Sequence, residues 1–168
     1  MWIEIITVIA NISLALSFVI ALVFGVAQVK TAVRDRKDRL TIETLRTFSS
    51  REFSELATFV NSPRFPKSRE EVRGLTDEEN AKMIQFAQQI EFLGLGVAEG
   101  LIDLDLVDKI LGDYVATTWD KYKVFTLSIR EERDPYLNEY FQWLAERIRE
   151  RMKNSPREPF HKSGKLPS

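Results

Sequence analysis

The densest run of side chains able to do chemistry is Asp103, Asp105 and Asp108, in the order D-L-D-L-V-D. Carboxylates at alternate positions are what a calcium loop uses, together with a glycine turn and a distal Glu. Here Leu104, Leu106 and Val107 fill the gaps and no such turn follows. The run therefore reads as acidic residues at the amino end of a helix, where they complement the helix dipole. Glu91, Glu99 and Asp113 are the further carboxylates that would complete a cluster. A di-iron bundle needs Glu-x-x-His partners, and the one histidine, His161, sits in a Pro/Lys-rich tail. Cysteine is absent, which excludes thiol catalysis, thiolate metal ligation and disulfides. The expectation is a protein with no catalytic residues, no metal and no cofactor.

Two other patterns invite chemistry. Gly94, Gly96 and Gly100 form G-L-G-V-A-E-G, but a dinucleotide fingerprint needs a strand before it and a helix after it. Here the glycines end a helix. Trp119, with Tyr114 and Tyr122 nearby, is either core or one wall of a small-molecule pocket. The formal charge of −1 over 168 residues hides segregation. From Glu70 to Glu146 there are 17 Asp and Glu against 7 Lys and Arg, which argues against a nucleic-acid partner for that part.

The element that must position all of this is the stretch from Ile5 to Val29, which carries no charge. A helix crosses the hydrocarbon core with about 20 apolar residues, so the stretch suffices with some tilt. It is longer than a signal-peptide core, lacks a basic start and has no small-x-small cleavage site. It reads as a transmembrane anchor over residues 1–29. Lys30, Arg34, Arg36, Lys37 and Arg39 follow its carboxyl end, so the amino terminus should face out and the rest should be cytoplasmic. Ser13, Ser17, Ala21 and Gly25 recur every four residues as a small-residue packing stripe, which makes a homodimer a candidate assembly.

Beyond the anchor, Val26, Val29, Val33 and Leu40 keep helical spacing among charges. Residues 30–44 are read as a juxtamembrane helical stalk. The spacing predicts an all-α cytosolic domain of about four helices over residues 45–152. Ser49-Ser50-Arg51-Glu52 resembles a capping box. Asn61 through Gly74 reads as loop. Thr76 with Glu79 opens a helix, and Gly100 is a good stop for it. Asp103 looks like the next N-cap. Asp134-Pro135 marks a third start, with proline at the first helical position and Tyr136, Leu137, Tyr140 and Phe141 facing inward. Residues 153–168 read as a disordered basic tail. Arg147, Arg149, Arg151, Lys153, Arg157, Lys162 and Lys165 are candidate contacts for anionic lipid.

From Phe86 to Val107, at Trp119-Asp120-Lys121, at Arg130 and from Asp134 to Leu144, the chain resembles a bacterial family catalogued as a domain of unknown function, DUF4760. The positions carrying the likeness include Phe86, Gly94, Gly100, Trp119, Arg130 and Phe141. The resemblance implies an all-helical cytosolic domain behind a membrane helix, and no activity. Together these readings give a single-pass inner-membrane protein whose helical domain binds other proteins as a scaffold. The alternative is a membrane-tethered small-molecule or lipid sensor with a pocket near Trp119.

Overall fold

The computed structural model describes residues 2–162. Among them the chain forms six α-helices and no strand: α1 (Trp2–Thr47), α2 (Arg51–Asn61), α3 (Arg69–Val72), α4 (Asp77–Ala98), α5 (Leu104–Glu132) and α6 (Glu139–Asn154). One compact unit ends at Arg39 and a second begins at Leu40. In the first, α1 is long and apolar enough to cross a membrane, and no part of its apolar window is buried. Exposed Ile, Leu, Val and Phe side chains cover it on every side. A helix apolar all round belongs in a core or in lipid.

The second unit has the core. Thr41 and Leu45, near the end of α1, already belong to it. The Thr41 hydroxyl accepts from the Asp103 backbone N–H at 2.9 Å. α6 packs on both α4 and α5, and α2 packs on α4. The seam is aromatic. Phe86 stacks on Phe53 at 5.6 Å and on Tyr122 at 5.7 Å, while Trp119 meets Phe141 edge-on at 5.3 Å. Offset and edge-on pairs of this kind add about 0.5–1.5 kcal/mol each beyond area burial. The Tyr122 hydroxyl donates to the Met83 carbonyl at 2.9 Å, so its polar end is satisfied inside.

Most helix ends follow from local chemistry. Ser50 accepts from Phe53 N at 3.1 Å and separates α2 from α1. Thr76 and Glu79 form the reciprocal capping box, at 3.2 and 3.0 Å. Asp103 accepts from the N–H groups of Asp105 and Leu106. Gly100 takes φ +71° just past α4, a conformation that costs glycine nothing.

Three expectations need correction. The segment read as loop through Gly74 contains α3, one turn capped by Ser68 and tied to the end of α5 by a two-pronged Arg69–Glu132 pair. Asp134-Pro135 does not begin a helix. Asp134 Oδ1 accepts from Tyr136 N at 3.0 Å in a turn, and α6 starts at Glu139, behind Asn138 at φ 55°. Arg130 Nε takes the Leu137 carbonyl at 2.8 Å, and the Phe141 N–H that would complete a helical bond to that carbonyl goes to Glu91. The side chain of Tyr136 is accordingly exposed, not inward. At the carboxyl end, α6 runs on through Asn154, and Phe160–Lys162 form a short 3-10 turn. Residues 163–168, with Lys165, lie outside the described residues.

Candidate functional site

Apart from Gly100, the residues that carry the family likeness converge where α6 begins. Glu91, on α4, places Oε2 2.7 Å from Phe141 N and Oε1 3.2 Å from Tyr140 N. Those are two of the unpaired N–H groups that any helix leaves at its start. α6 has no side-chain cap of its own, because Asn138 turns away and donates to the Thr126 hydroxyl at 3.2 Å. Its cap comes from another helix, 50 residues upstream. Gly94, one turn further along α4, lies directly under the Tyr140 carbonyl, where an added Cβ would collide with backbone. Close approach of α4 to α6 therefore requires glycine there.

On the α5 side, Arg130 does three things. Nε donates to the Leu137 carbonyl, one Nη donates to Gln142 Oε1 at 2.5 Å, and the guanidinium lies 6.0 Å above the Trp119 ring. Phe141 sits beneath, fully buried against Trp119, Tyr122 and Phe86. Burial pushes the Glu91 carboxyl up. The N–H groups of Phe141 and Tyr140 pull it back, with Glu139 raising it and Arg130 lowering it, and the net direction is upward. Burial likewise pushes Tyr114 up to about 12, and it raises Tyr122 as well. Glu91 and Arg130 both bond the start of α6, and the second Arg130 Nη is buried with no hydrogen-bond partner among the described residues. The arrangement is a clamp.

Trp119 is 3% exposed and belongs to this core. A depression of about 250 Å³ is lined by the next residues, Asp120 and Lys121, with Val60, Phe65 and Pro66, and Trp119 is not among its lining residues. Lys121 there donates to the Val60 carbonyl and to Asn61 Oδ1, so it caps the end of α2.

The carboxylates of the D-L-D-L-V-D run separate by task. Asp103 caps α5. Asp105 pairs with Lys109 and Arg151, and Asp108 lies 3.6 Å from Arg151. Among the described residues no group of three or more His, Asp or Glu is placed to hold a metal ion. Of the basic residues considered for lipid contact, Arg149 reaches Asp120 and the Ala116 carbonyl, and Arg147 reaches Glu150. Arg149 and Arg151 tie α6 to α5, while the Arg147–Glu150 pair lies within α6. In α1, Ser13, Ser17, Ala21 and Gly25 are all exposed, with the Ser17 hydroxyl donating to the Ser13 carbonyl at 2.8 Å. Of the basic flank, Lys30, Arg34, Arg36 and Arg39 are exposed and Lys37 is half-buried, and Arg34 stands 4.0 Å from Asp38.

A family model described as a domain of unknown function (DUF4760) matches residues 12–148. That span starts inside the apolar half of α1 and ends at Ile148, one of the α6 residues buried against the seam. The chain belongs to the DUF4760 family. No curated protein and no solved structure matches it. The DUF4760 span thus takes in most of the apolar helix, the clamp and the aromatic seam.

Sequence reasoning placed Phe86, Gly94, Trp119, Arg130 and Phe141 in the family pattern but not Glu91 or Asn138 in the clamp. A signal for Glu91 was present: it is the one charged residue from Met83 to Ala98. A lone charge in an apolar helix is buried with a partner or sits on the exposed face. Asn138 carried no comparable signal.

A second feature lies on the outside of α4. Phe92 is 75% exposed and Ile84 is 46% exposed, with Gln88 midway between them on the same face. Beside this stripe lies a depression of about 530 Å³, walled by Thr44, Thr47, Phe48, Gln85, Gln88 and Phe92.

Proposed function

We propose that this chain is a single-pass inner-membrane protein, amino end outward, whose cytosolic helical domain works by binding other proteins rather than by catalysis. The observation that carries the reading is the first helix. Among the described residues none of its apolar stretch is buried, and water is a poor solvent for it at about 25 cal/mol per Å². The basic run from Lys30 to Arg39 supports the orientation through the positive-inside rule. The clamp supports binding over catalysis. Both Glu91 oxygens accept from backbone N–H groups of α6, and Arg130 donates to a carbonyl and to Gln142 and lies over the Trp119 ring. The uncharged apolar stripe on α4 supports a protein partner, since depletion of charge marks interface centres.

Carbonate washing of vesicles tests the anchor: the full-length chain should stay with the lipid. External protease on intact spheroplasts tests the orientation: residues beyond the basic flank should be protected. Release by carbonate, or digestion of the carboxyl part from outside, would overturn the reading.

A further inference from the structure

We propose that the outer face of α4 is a two-fold contact that pairs the helical domain with a second copy of this chain. The inference deepens the reading above by naming the partner, and it rests on that reading only for the crowding that a shared membrane supplies.

The face is unusual in a chain that is 29% charged. Asp77, Glu78 and Glu79 lie in the first turn of α4, and Lys82 pairs with Glu78 at 2.5 Å. From Met83 to Ala98 the only charge is Glu91, and both its oxygens are turned to α6. What α4 exposes beyond Lys82 is Ile84, Gln88 and Phe92, four residues apart and so on one stripe, and Ala98 at its end. Anionic lipid or nucleic acid would be met by basic residues, and this stripe has none. A strongly charged protein partner would likewise lose its hydration with nothing to pair against.

The stripe is complementary to itself. Each residue step along a helix rises about 1.5 Å, so Ile84 and Phe92 stand about 6 Å to either side of Gln88. A two-fold axis through Gln88, with the two α4 helices antiparallel, sets Ile84 of each copy against Phe92 of the other. Gln88 then meets Gln88. An amide carries both donor and acceptor, so it can bond to its own copy, which no single charge can do. Crossing angles of about 20–50° carry the acidic first turns away from the centre of the contact.

The cysteine-free chain makes the test clean. Gln88→Cys is introduced into the full-length protein, and the variant is oxidised with copper–phenanthroline in membrane vesicles and, separately, as purified chain in detergent. A two-fold contact at residue 88 brings the Cα atoms near the 4.4–6.8 Å that a disulfide needs. The expected result is a covalent dimer at several times the yield of Thr117→Cys, an exposed position on α5 that sets the collision background. Adding Phe92→Glu should return the yield to that background, and adding Ile84→Lys as well should restore it, because positions 84 and 92 face each other only across the axis. Both side chains are exposed, so the fold survives the changes, with circular dichroism as the check.

Yield at Gln88→Cys no higher than at Thr117→Cys overturns the proposal. So does a dimer trapped by Ala21→Cys that ignores Phe92→Glu while Gln88→Cys stays silent, which would assign pairing to the membrane helix. A Gln88→Cys adduct of any mass other than twice the chain assigns a different partner and also overturns it. If carbonate strips the chain from vesicles yet the purified Gln88→Cys protein still dimerises, the anchor reading falls and the α4 contact stands.

Discussion

Glu91 shows how one side chain sets both a structure and its pH response. Glu91→Ala leaves two buried N–H groups of α6 without an acceptor. A cost of about 1–3 kcal/mol is expected in denaturant unfolding of the full chain. Glu91→Gln keeps one acceptor and should cost less. The sign of the pH effect follows from the upward shift. The folded state holds the proton to higher pH than the unfolded state, so this group's stabilising contribution is fully present below the ordinary carboxylate value. It is lost as pH rises through the raised one. The stability difference between wild type and Glu91→Gln should therefore move in favour of wild type as pH falls from about 7 to about 4. Asp105 and Asp120 run the other way. Lys109 and then Arg151 hold Asp105 low, and Lys123 and then Arg149 hold Asp120 low. Their contributions are present above the ordinary carboxylate value and fade as pH drops through the lowered ones. Acid titration of Asp105→Asn beside Glu91→Gln should give slopes of opposite sign relative to wild type.

At the level of elements, Gly94 is the strictest position. Gly94→Ala gains helix propensity but drives a methyl into the Tyr140 backbone, so α4 and α6 must part. A net loss of about 1–3 kcal/mol is expected, with near-UV circular dichroism of Trp119 changing alongside. The helix starts at Ser50, Thr76 and Asp103, and the stop at Gly100, were legible because their causes lie within a few residues. Each is a short side chain bonding the next turn, or a glycine free to take positive φ. The start of α6 was not legible, because its cap comes from a different helix. Local chemistry at Asp134-Pro135 offered a start signal, and tertiary contacts through Arg130 and Glu91 overrode it. α3 was missed for a related reason. One turn carries too little periodicity to read, and a contact to Glu132 holds it. The inward spacing of Phe86 and Phe141 was plain as core and that of Trp119 fitted either core or a pocket wall, whereas the clamp around them needed the fold.

For the whole molecule, the helical unit begins at Leu40, ahead of the residue 45 boundary drawn from sequence. Thr41 is fully buried and binds the start of α5. A fragment starting at residue 40 should unfold cooperatively in water without detergent, and one starting at residue 48 should be measurably less stable in the same urea titration. The borrowed cap has a consequence for biosynthesis. α6 closes the aromatic seam and is made after α2, α4 and α5, and it has no side-chain cap of its own with which to form early. A nascent chain whose residues from 139 onward are still inside the ribosome leaves Phe86, Trp119 and Tyr122 without their lid. Any stop codon ahead of Phe141 would release a greasy, unfinished product, the kind that membrane proteases clear.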